Sequence, residues 1–157
     1  MAPDAGFGVL SLDDVRSVDG LTLFKGVMEG RYPAPPIARA IGFEIARVEL
    51  GHVVFTYTPV ADHLNPLGSI HGGIAATMLD GVMGCCIHTM LKAGIGYTTL
   101  EIKVNYVRAM TENTGKVRAE GKVINVGSRI GTSEGRLYDS NDRLLAHGTT
   151  TCLIFPM

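Results

Sequence analysis

The sequence predicts an α+β domain in which one long buried helix packs against an antiparallel sheet. Three observations predict it: a single long apolar stretch with helical periodicity, alternating strands before and after it, and short helix signals confined to the first forty residues. At 157 residues the chain has the length of one domain and can bury a sizeable core. We divide it into an N-terminal helical arm with a Pro-rich connection, residues 1–40, and a main domain, residues 41–157.

The arm contains signals for short helices. Ser11 followed by Asp14 resembles an N-terminal capping pattern, and residues 21–30 have the pattern of a second, amphipathic helix. The three prolines of YPAPPIARAIG then hold the chain extended, and Gly42 ends any helix that Pro36 begins. These features predict an arm and a rigid connection rather than a separate domain.

Two segments of the main domain alternate in the manner of strands. Residues 52–60 place Val53, Phe55 and Tyr57 on one face. Residues 100–107 alternate more clearly, and one face is expected to be buried while the opposite, polar face is exposed to solvent. The face expected to be buried consists of Leu100, Ile102, Val104 and Tyr106.

The carboxyl half predicts an antiparallel meander. Residues 116–126 alternate, and residues 131–139 are expected to pair with residues 143–155 across the turn signal Asp139-Ser-Asn-Asp142. The sequence contains no internal repeat and no low-complexity segment.

The charge is nearly balanced, with 14 Lys and Arg residues against 15 Asp and Glu residues. No run of like charges offers a footprint for nucleic acid or an anionic membrane, so a small, neutral partner is expected. The N-terminus lacks a basic segment followed by a long apolar one, which indicates a soluble cytoplasmic protein. The three cysteines, Cys85, Cys86 and Cys152, lack Cys-x-x-Cys spacing and are expected to be reduced core residues.

The long helix carries an isolated carboxylate, Asp80. Apolar side chains cover more than half of its circumference, so the helix is expected to be buried on most sides. They are Ile74, Ala75, Met78, Leu79, Val82, Met83, Cys86, Ile87, Met90 and Leu91. Asp80 lies at the margin of this surface between Gly73 and Gly84, which would let another molecule approach. It is therefore either a reactive or ligand-contacting group, or a residue at an exposed margin with a structural hydrogen bond.

The glycines at the start of this helix supply complementary chemistry. If the helix begins near His71, the N–H groups of Gly72 and Gly73 lie in its first turn, where donors lack helical acceptors and the dipole amounts to about half a positive charge. Such donors can form an oxyanion hole, and the alternative is a tight turn that needs glycine. Asn65 before Pro66 is equally compatible with a turn in which the Asn side chain caps its own loop.

Together these residues resemble a known family. The pattern His63-x-Asn65-Pro66-x-Gly68-x-x-His71-Gly72-Gly73, followed by the apolar helix with Asp80, is similar to the signature of PaaI-like hotdog-fold acyl-CoA thioesterases. The resemblance covers most of residues 32–155. It implies a hotdog fold, in which a curved antiparallel sheet wraps a long central helix. It also implies a homodimer with continuous sheets and active sites shared between subunits, and commonly a homotetramer.

The resemblance implies catalytic roles for individual residues. Asp80 matches the catalytic carboxylate, acting as nucleophile on the thioester or as general base for water. Gly72 matches the residue whose N–H polarises the thioester carbonyl. His71 fixes the loop or assists at the carbonyl, and Asn65 orients the water or the leaving group.

The resemblance also assigns a hydroxyl and a set of substrate contacts. Thr99 matches a hydroxyl beside the carboxylate and is chosen over its neighbour Thr98 because it comes just before Leu100 and Glu101. A shift of one residue would turn the strand side chain to the opposite face, so Thr98 is the alternative. The residues expected to contact the acyl group are Pro66, Gly73, Met83 and Gly84, and those expected to meet the CoA phosphates are Arg108 and Arg129.

Hydrolysis of acyl-CoA is the reaction that the resemblance favours, with CoA present only as part of the substrate and no other cofactor. No metal is expected, because His63, His71, His88 and Cys85 lack a recognised ligand spacing. Two alternatives use the same scaffold: a hydroxyacyl-thioester dehydratase, and an acyl-CoA-binding homodimer without catalysis. The sequence leaves the acyl group undetermined.

Overall fold

The computed structural model describes residues 5–157, and residues 1–4 of the predicted arm lie outside the described residues. The helices are α1 (Leu12–Ser17), α2 (Gly20–Met28), α3 (Pro36–Ile41) and α4 (Gly72–His88). Short 3-10 helices occupy Ala61–His63 and Glu112–Thr114. The strands are β1 (Phe43–Glu49), β2 (His52–Tyr57), β3 (Ile95–Tyr106), β4 (Val117–Val126), β5 (Ile130–Tyr138) and β6 (Leu144–Pro156).

The strands form one curved antiparallel sheet in the order β1-β2-β4-β5-β6-β3. Helix α4 packs across this sheet and contacts each of its strands. The predicted α+β architecture is therefore confirmed, including the meander and its turn, where Oδ1 of Asp139 accepts from the N–H groups of Asn141 and Arg143. The predicted inward face of β2 is also confirmed, since Val53, Phe55 and Tyr57 are buried.

The sequence signals in the arm form the helices that they predict. Oγ of Ser11 accepts from the N–H of Asp14 at 3.0 Å and caps α1. Asp19 caps α2 in the same way, through the N–H of Thr22 at 2.9 Å. Gly42 ends α3 with a φ of 79°, a conformation in which a side chain would be strained.

Helix α4 is buried, as predicted, but it is shorter than its apolar pattern. It ends at His88, because the Thr89 hydroxyl donates to the carbonyl oxygen of Cys86 at 2.7 Å and accepts the N–H of Gly51 at 2.8 Å. The expectation that Met90 continues the buried face was therefore wrong, and its side chain is 41% exposed.

Two close approaches fix α4 on the sheet. A Cβ at Gly121 of β4 would collide with the backbone carbonyl of Val82, so glycine lets strand and helix backbones touch. Next to it, the buried Ser133 hydroxyl donates to the carbonyl oxygen of Met83 at 2.9 Å. Both contacts hold the middle of α4 and fix its distance from the sheet.

Strand β3 departs from the prediction. Leu100, Ile102 and Tyr106 were expected to be buried, but within the chain they are 57%, 36% and 58% exposed. The reason is position: β3 is an edge strand, paired only with β6, and a bulge between Thr99 and Glu101 shifts its register. The alternating pattern identified the strand correctly, but it did not show that the second neighbour is missing.

Candidate active site

The N-terminus of α4 presents one open backbone donor. His71 is the N-cap, and its Nδ1 accepts the N–H of Gly73 at 2.9 Å. Among residues 5–157, no protein group accepts a hydrogen bond from the N–H of Gly72. Because a helix N-terminus carries about half a positive charge, this N–H is suited to bind a developing oxyanion. Of the two predicted donors, the cap occupies one and leaves the other available.

Tyr106, for which the sequence predicted no role in the site, packs against Gly72. Its hydroxyl donates to the carbonyl oxygen of Gly72 at 3.1 Å. A Cβ at Gly72 would lie 3.2 Å from two atoms of the Tyr106 ring, so the site depends on glycine for its packing. Strand periodicity places Tyr106 on the same face of β3 as Val104. Its contact with Gly72 depends on how β3 lies relative to α4, which periodicity does not show.

The loop before α4 uses the Asn65 side chain internally. Its Oδ1 accepts the N–H groups of Leu67 at 2.9 Å and Ser69 at 3.2 Å, and its Nδ2 donates to the Ser69 hydroxyl at 2.8 Å. These are the contacts of an Asn that closes its own turn. Pro66 lies exposed in the same loop.

Asp80 lies on α4 beside β3. The Thr99 hydroxyl donates to its Oδ1 at 3.0 Å, whereas Thr98 is exposed on the other side of the strand. Oδ2 of Asp80 accepts no hydrogen bond from residues 5–157. A carboxylate oriented through one oxygen, with the other free, can attack a carbonyl carbon or take a proton from water.

The two chemical groups are separated along the helix. Asp80 follows Gly72 by eight residues, which corresponds to about 12 Å of axial rise and about 80° of rotation. A general base and an oxyanion donor must both lie about 3 Å from the reacting atoms. The carboxylate and the open N–H of one chain therefore cannot serve the same thioester.

A cavity of about 280 Å³ joins the loop to the start of α4. Asn65, Gly72, Tyr106 and Arg108 are among the residues that line it. The Arg108 guanidinium is anchored here, since it donates to the carbonyl oxygen of Leu144 at 2.9 Å. Arg129 lies elsewhere, at the β4–β5 turn, where its carbonyl oxygen accepts the N–H of Ile154.

Three predicted acyl contacts lie away from this cavity. Met83 is fully buried against the sheet, and the space above Gly84 is filled by the Tyr97 ring, which a Cβ would meet at 2.7 Å. The N–H of Gly73 is occupied by His71. Gly84 lies on the same side of the helix as Asp80, as its spacing predicts. The spacing did not show that Tyr97 of β3 occupies the space beside Gly84.

The Cys85 thiol is not a competing nucleophile at neutral pH. Burial raises the pKa of Cys85, on the next turn after Asp80, to about 12, so its thiol remains protonated. Burial also lowers the pKa of His88 to about 4, which leaves that imidazole neutral.

Within residues 5–157 no group of three His, Cys, Asp or Glu side chains has a metal-binding arrangement. No helix in this range is both long and apolar enough to cross a bilayer.

Comparison with known families decides the class of this fold. The model of the Thioesterase superfamily matches residues 67–146, which include the whole of α4, β3, β4 and β5. The chain belongs to the thioesterase superfamily. The matched segment contains Gly72, Asp80 and Thr99, whereas the arm lies outside it.

Similar proteins agree with this assignment. The phenylacetic acid degradation-related protein of Ralstonia eutropha is 26% identical, with a TM-score of 0.75. The match covers 83% of this chain and 98% of that chain. A Streptococcus mutans protein solved with acetyl-CoA bound is 23% identical with a TM-score of 0.66, covering 73% and 89%. A Saccharolobus solfataricus protein named as a candidate esterase is 28% identical over 116 residues, 73% of this chain and 75% of its own. The predicted PaaI-like hotdog fold is confirmed.

Proposed function

We propose that this superfamily member hydrolyses acyl-CoA thioesters to a free acid and CoA. The observation that carries the proposal is the arrangement on α4: an Asp80 carboxylate oriented by Thr99, and an open Gly72 N–H at the positive end of the same helix. These are the two groups that acyl transfer to water requires, a base or nucleophile and an oxyanion donor.

The chemistry follows from these two groups. The thioester carbonyl oxygen accepts the Gly72 N–H, which stabilises the negative charge as the carbon becomes tetrahedral. Asp80 either removes a proton from the attacking water or attacks the carbon itself, forming an anhydride that water then cleaves. In both routes the C–S bond breaks, the CoA sulfur leaves as a thiol after protonation, and the acyl group leaves as a carboxylic acid.

A homodimer would bring together the Asp80 carboxylate and the Gly72 N–H, which lie apart within one chain. Strand β3 has an unpaired edge of twelve residues with exposed apolar side chains, and such an edge favours pairing with another strand. Antiparallel pairing of two β3 edges would bring Gly72 of one protomer towards Asp80 of its partner. We propose that each active site is composed in this way, with further assembly into a homotetramer.

The CoA portion is proposed from two lines of support. The Streptococcus mutans protein of the same fold holds acetyl-CoA. In this chain, Arg108 lies at the cavity that contains Gly72 and provides a cation for a phosphate. Arg129 is a second candidate, at the other end of α4. No cofactor besides the CoA of the substrate is part of the proposal.

Thiol release from a panel of short-chain, medium-chain and aryl acyl-CoAs tests the proposal, comparing wild type with Asp80→Asn. Asp13→Asn is the matched control, because it makes the same change at an exposed position of α1. We expect turnover of at least one panel member, loss of most of it in Asp80→Asn, and no loss in the control. Acyl-CoA binding without turnover by the wild type would instead indicate a binding protein, and full activity in Asp80→Asn would remove the central assignment.

A further inference from the structure

A second cavity, of about 510 Å³, lies between the arm and the main domain. We call it the arm chamber. Leu12, Phe24 and Ile37 line it from the arm, and Ile45 and Phe55 line it from the sheet. Its volume lies within the range of about 300–1,000 Å³ that is usual for small-molecule sites.

The chamber lies beneath an arm that is firmly attached. The N–H of Gly20 donates to the carbonyl oxygen of Leu91 at 3.1 Å, and the Phe24 ring meets the His88 ring edge-on with centroids 5.4 Å apart. The N–H of Gly8 donates to the carbonyl oxygen of Ala34 at 2.9 Å. The chamber opens to solvent on one side, where Val9, Leu12 and Ile37 of its lining are 85%, 58% and 48% exposed. A contiguous apolar surface left exposed in this way is typical of a binding groove.

The lining determines the chemistry of that ligand. Among the described residues that line the chamber, none carries a charged, amide or hydroxyl side chain. The Cys85 thiol is the most polar side chain present, and it is protonated because burial raises its pKa to about 12. A ligand with a hydroxyl or a charge inside the chamber would lose its hydrogen bonds to water without replacement. An unsubstituted hydrocarbon is the chemistry that the lining fits.

The floor of the chamber connects it with the proposed catalytic carboxylate. Gly81 and Cys85 of α4 form part of the lining, and Gly81 directly follows Asp80 in the helix. A Cβ at Gly81 would lie 2.8 Å from the Phe55 ring, so glycine keeps the helix surface flat at this point. Asp80 itself does not line the chamber, because its side chain points about 100° further around α4, towards Thr99, so the acyl tail would enter by crossing the helix surface at Gly81.

We propose that the arm chamber binds the unbranched aliphatic tail of the acyl group, with the thioester at Asp80. The inference rests on the proposed hydrolysis for the thioester end, and it adds the substrate class. The arm, which lies outside the matched residues 67–146, becomes the element that selects the acyl group. Each methylene that enters the chamber is expected to raise kcat/KM about fourfold until the space is filled.

The chain contains no tryptophan, which allows a direct contact test. Ile37→Trp places a single indole at the chamber, and Ile124→Trp places one at an exposed site on β4 that does not line it. Both are combined with Asp80→Asn and titrated with decanoyl-CoA carrying bromine on its terminal carbon, which quenches indole emission on contact. Unbrominated decanoyl-CoA corrects for quenching that does not come from the bromine.

We expect saturable quenching in Ile37→Trp and none in Ile124→Trp. Calorimetry measures binding independently of emission. Bound ligand without quenching in Ile37→Trp, or equal quenching in both proteins, would overturn the proposal. If Ile37→Trp does not fold, Leu12→Trp takes its place, since this half-exposed arm residue also lines the chamber.

Kinetics on the wild type supply the second readout. A rise in kcat/KM from acetyl- through hexanoyl- to decanoyl-CoA supports the chamber, whereas a flat series, or preference for phenylacetyl-CoA over decanoyl-CoA, contradicts it. The two proposals fail separately. Hydrolysis without quenching removes the chamber assignment and keeps the thioesterase, while selective quenching without any hydrolysis keeps the chamber and removes the reaction.

Discussion

Replacing Gly72 with proline removes the one open N–H at the start of α4. The fold should tolerate this change, because proline is favoured at the first helical position and the ψ of 134° at His71 suits a residue that precedes proline. In Gly72→Pro the thioester oxygen loses its backbone donor. Loss of one oxyanion-hole donor typically costs about 10²–10³ in kcat, or about 2.7–4 kcal/mol of transition-state stabilisation.

Gly72→Ala is the control for steric effects. Its Cβ would lie 3.2 Å from the Tyr106 ring, so alanine reproduces the crowding at Cβ and keeps the N–H. We therefore expect a modest loss for Gly72→Ala and a loss at least tenfold larger for Gly72→Pro. The assay is thiol release at saturating acyl-CoA, with the helical content and the oligomeric mass of both variants checked against wild type.

Equal kcat values for the two variants would refute the reasoning. That result would mean that the loss comes from displacement of Tyr106, and that the oxyanion donor lies elsewhere. The helical content and oligomeric mass of the two variants separate this effect from misfolding, because proline adds two ring carbons that alanine lacks, including one on the nitrogen itself.

Three further predictions concern single side chains. Thr99→Val removes the hydroxyl from Asp80 and should lower kcat about 10- to 150-fold, since hydrogen bonds to charged groups contribute about 1.5–3 kcal/mol, whereas Thr98→Val should leave kcat unchanged and Thr99→Ser should restore it. Ser133→Ala removes the hydroxyl donor to the Met83 carbonyl, which still accepts from the Cys86 thiol, and should cost about 0.5–1.5 kcal/mol in urea unfolding; a wild-type midpoint would contradict the assigned contact. Because the pKa of His88 falls from 6.5 to about 4 on folding, the unfolded state binds more protons between these values. Stability should therefore decrease as pH falls through this window, by at most about 3 kcal/mol, and His88→Gln should flatten that dependence in unfolding measured from pH 7 to 4.

The sequence predicted the features that depend on local chemistry. The cap at Ser11 and the start of α4 near His71 follow from local chemistry, whereas the capping contact of the His71 side chain with the N–H of Gly73 was not predicted. The position of Thr99 just before Leu100 and Glu101 favoured it over Thr98 as the neighbour of Asp80, and in the structure the Thr99 hydroxyl donates to Asp80. Each of these inferences needs only a few consecutive residues.

The missed features depend on contacts between distant segments. The exposure of Leu100 reflects a missing neighbour at the edge of the sheet, and Gly84 is closed by Tyr97 from another element. Nothing in the local pattern around Tyr106 indicates that its hydroxyl reaches Gly72, 34 residues earlier. The arm chamber requires three elements to meet, so its existence could not be derived from the periodicity of any one of them.

The separation of Gly72 from Asp80 leads to a test of the composite site that does not depend on seeing the dimer. An Asp80→Asn chain keeps its N–H donor, and a Gly72→Pro chain keeps its carboxylate. If each site takes one group from each chain, a mixed dimer contains one intact site and one site that lacks both groups. Random assembly on co-expression makes about half of the dimers mixed, so the mixture should recover about a quarter of wild-type activity although each variant alone is nearly inactive.

The same mixture gives a different result if the site lies within one chain. Every site would then carry one of the two defects, and co-expression would recover nothing above the average of the separate variants. A mixture of Asp80→Asn with Thr99→Val is the internal control, because Thr99 touches Asp80 of its own chain. In that mixture the only intact carboxylates belong to chains without the hydroxyl, so no site regains full function. Activity recovered when Asp80→Asn is co-expressed with Gly72→Pro, but not with Thr99→Val, would therefore show that the carboxylate and the oxyanion donor of one site come from different subunits.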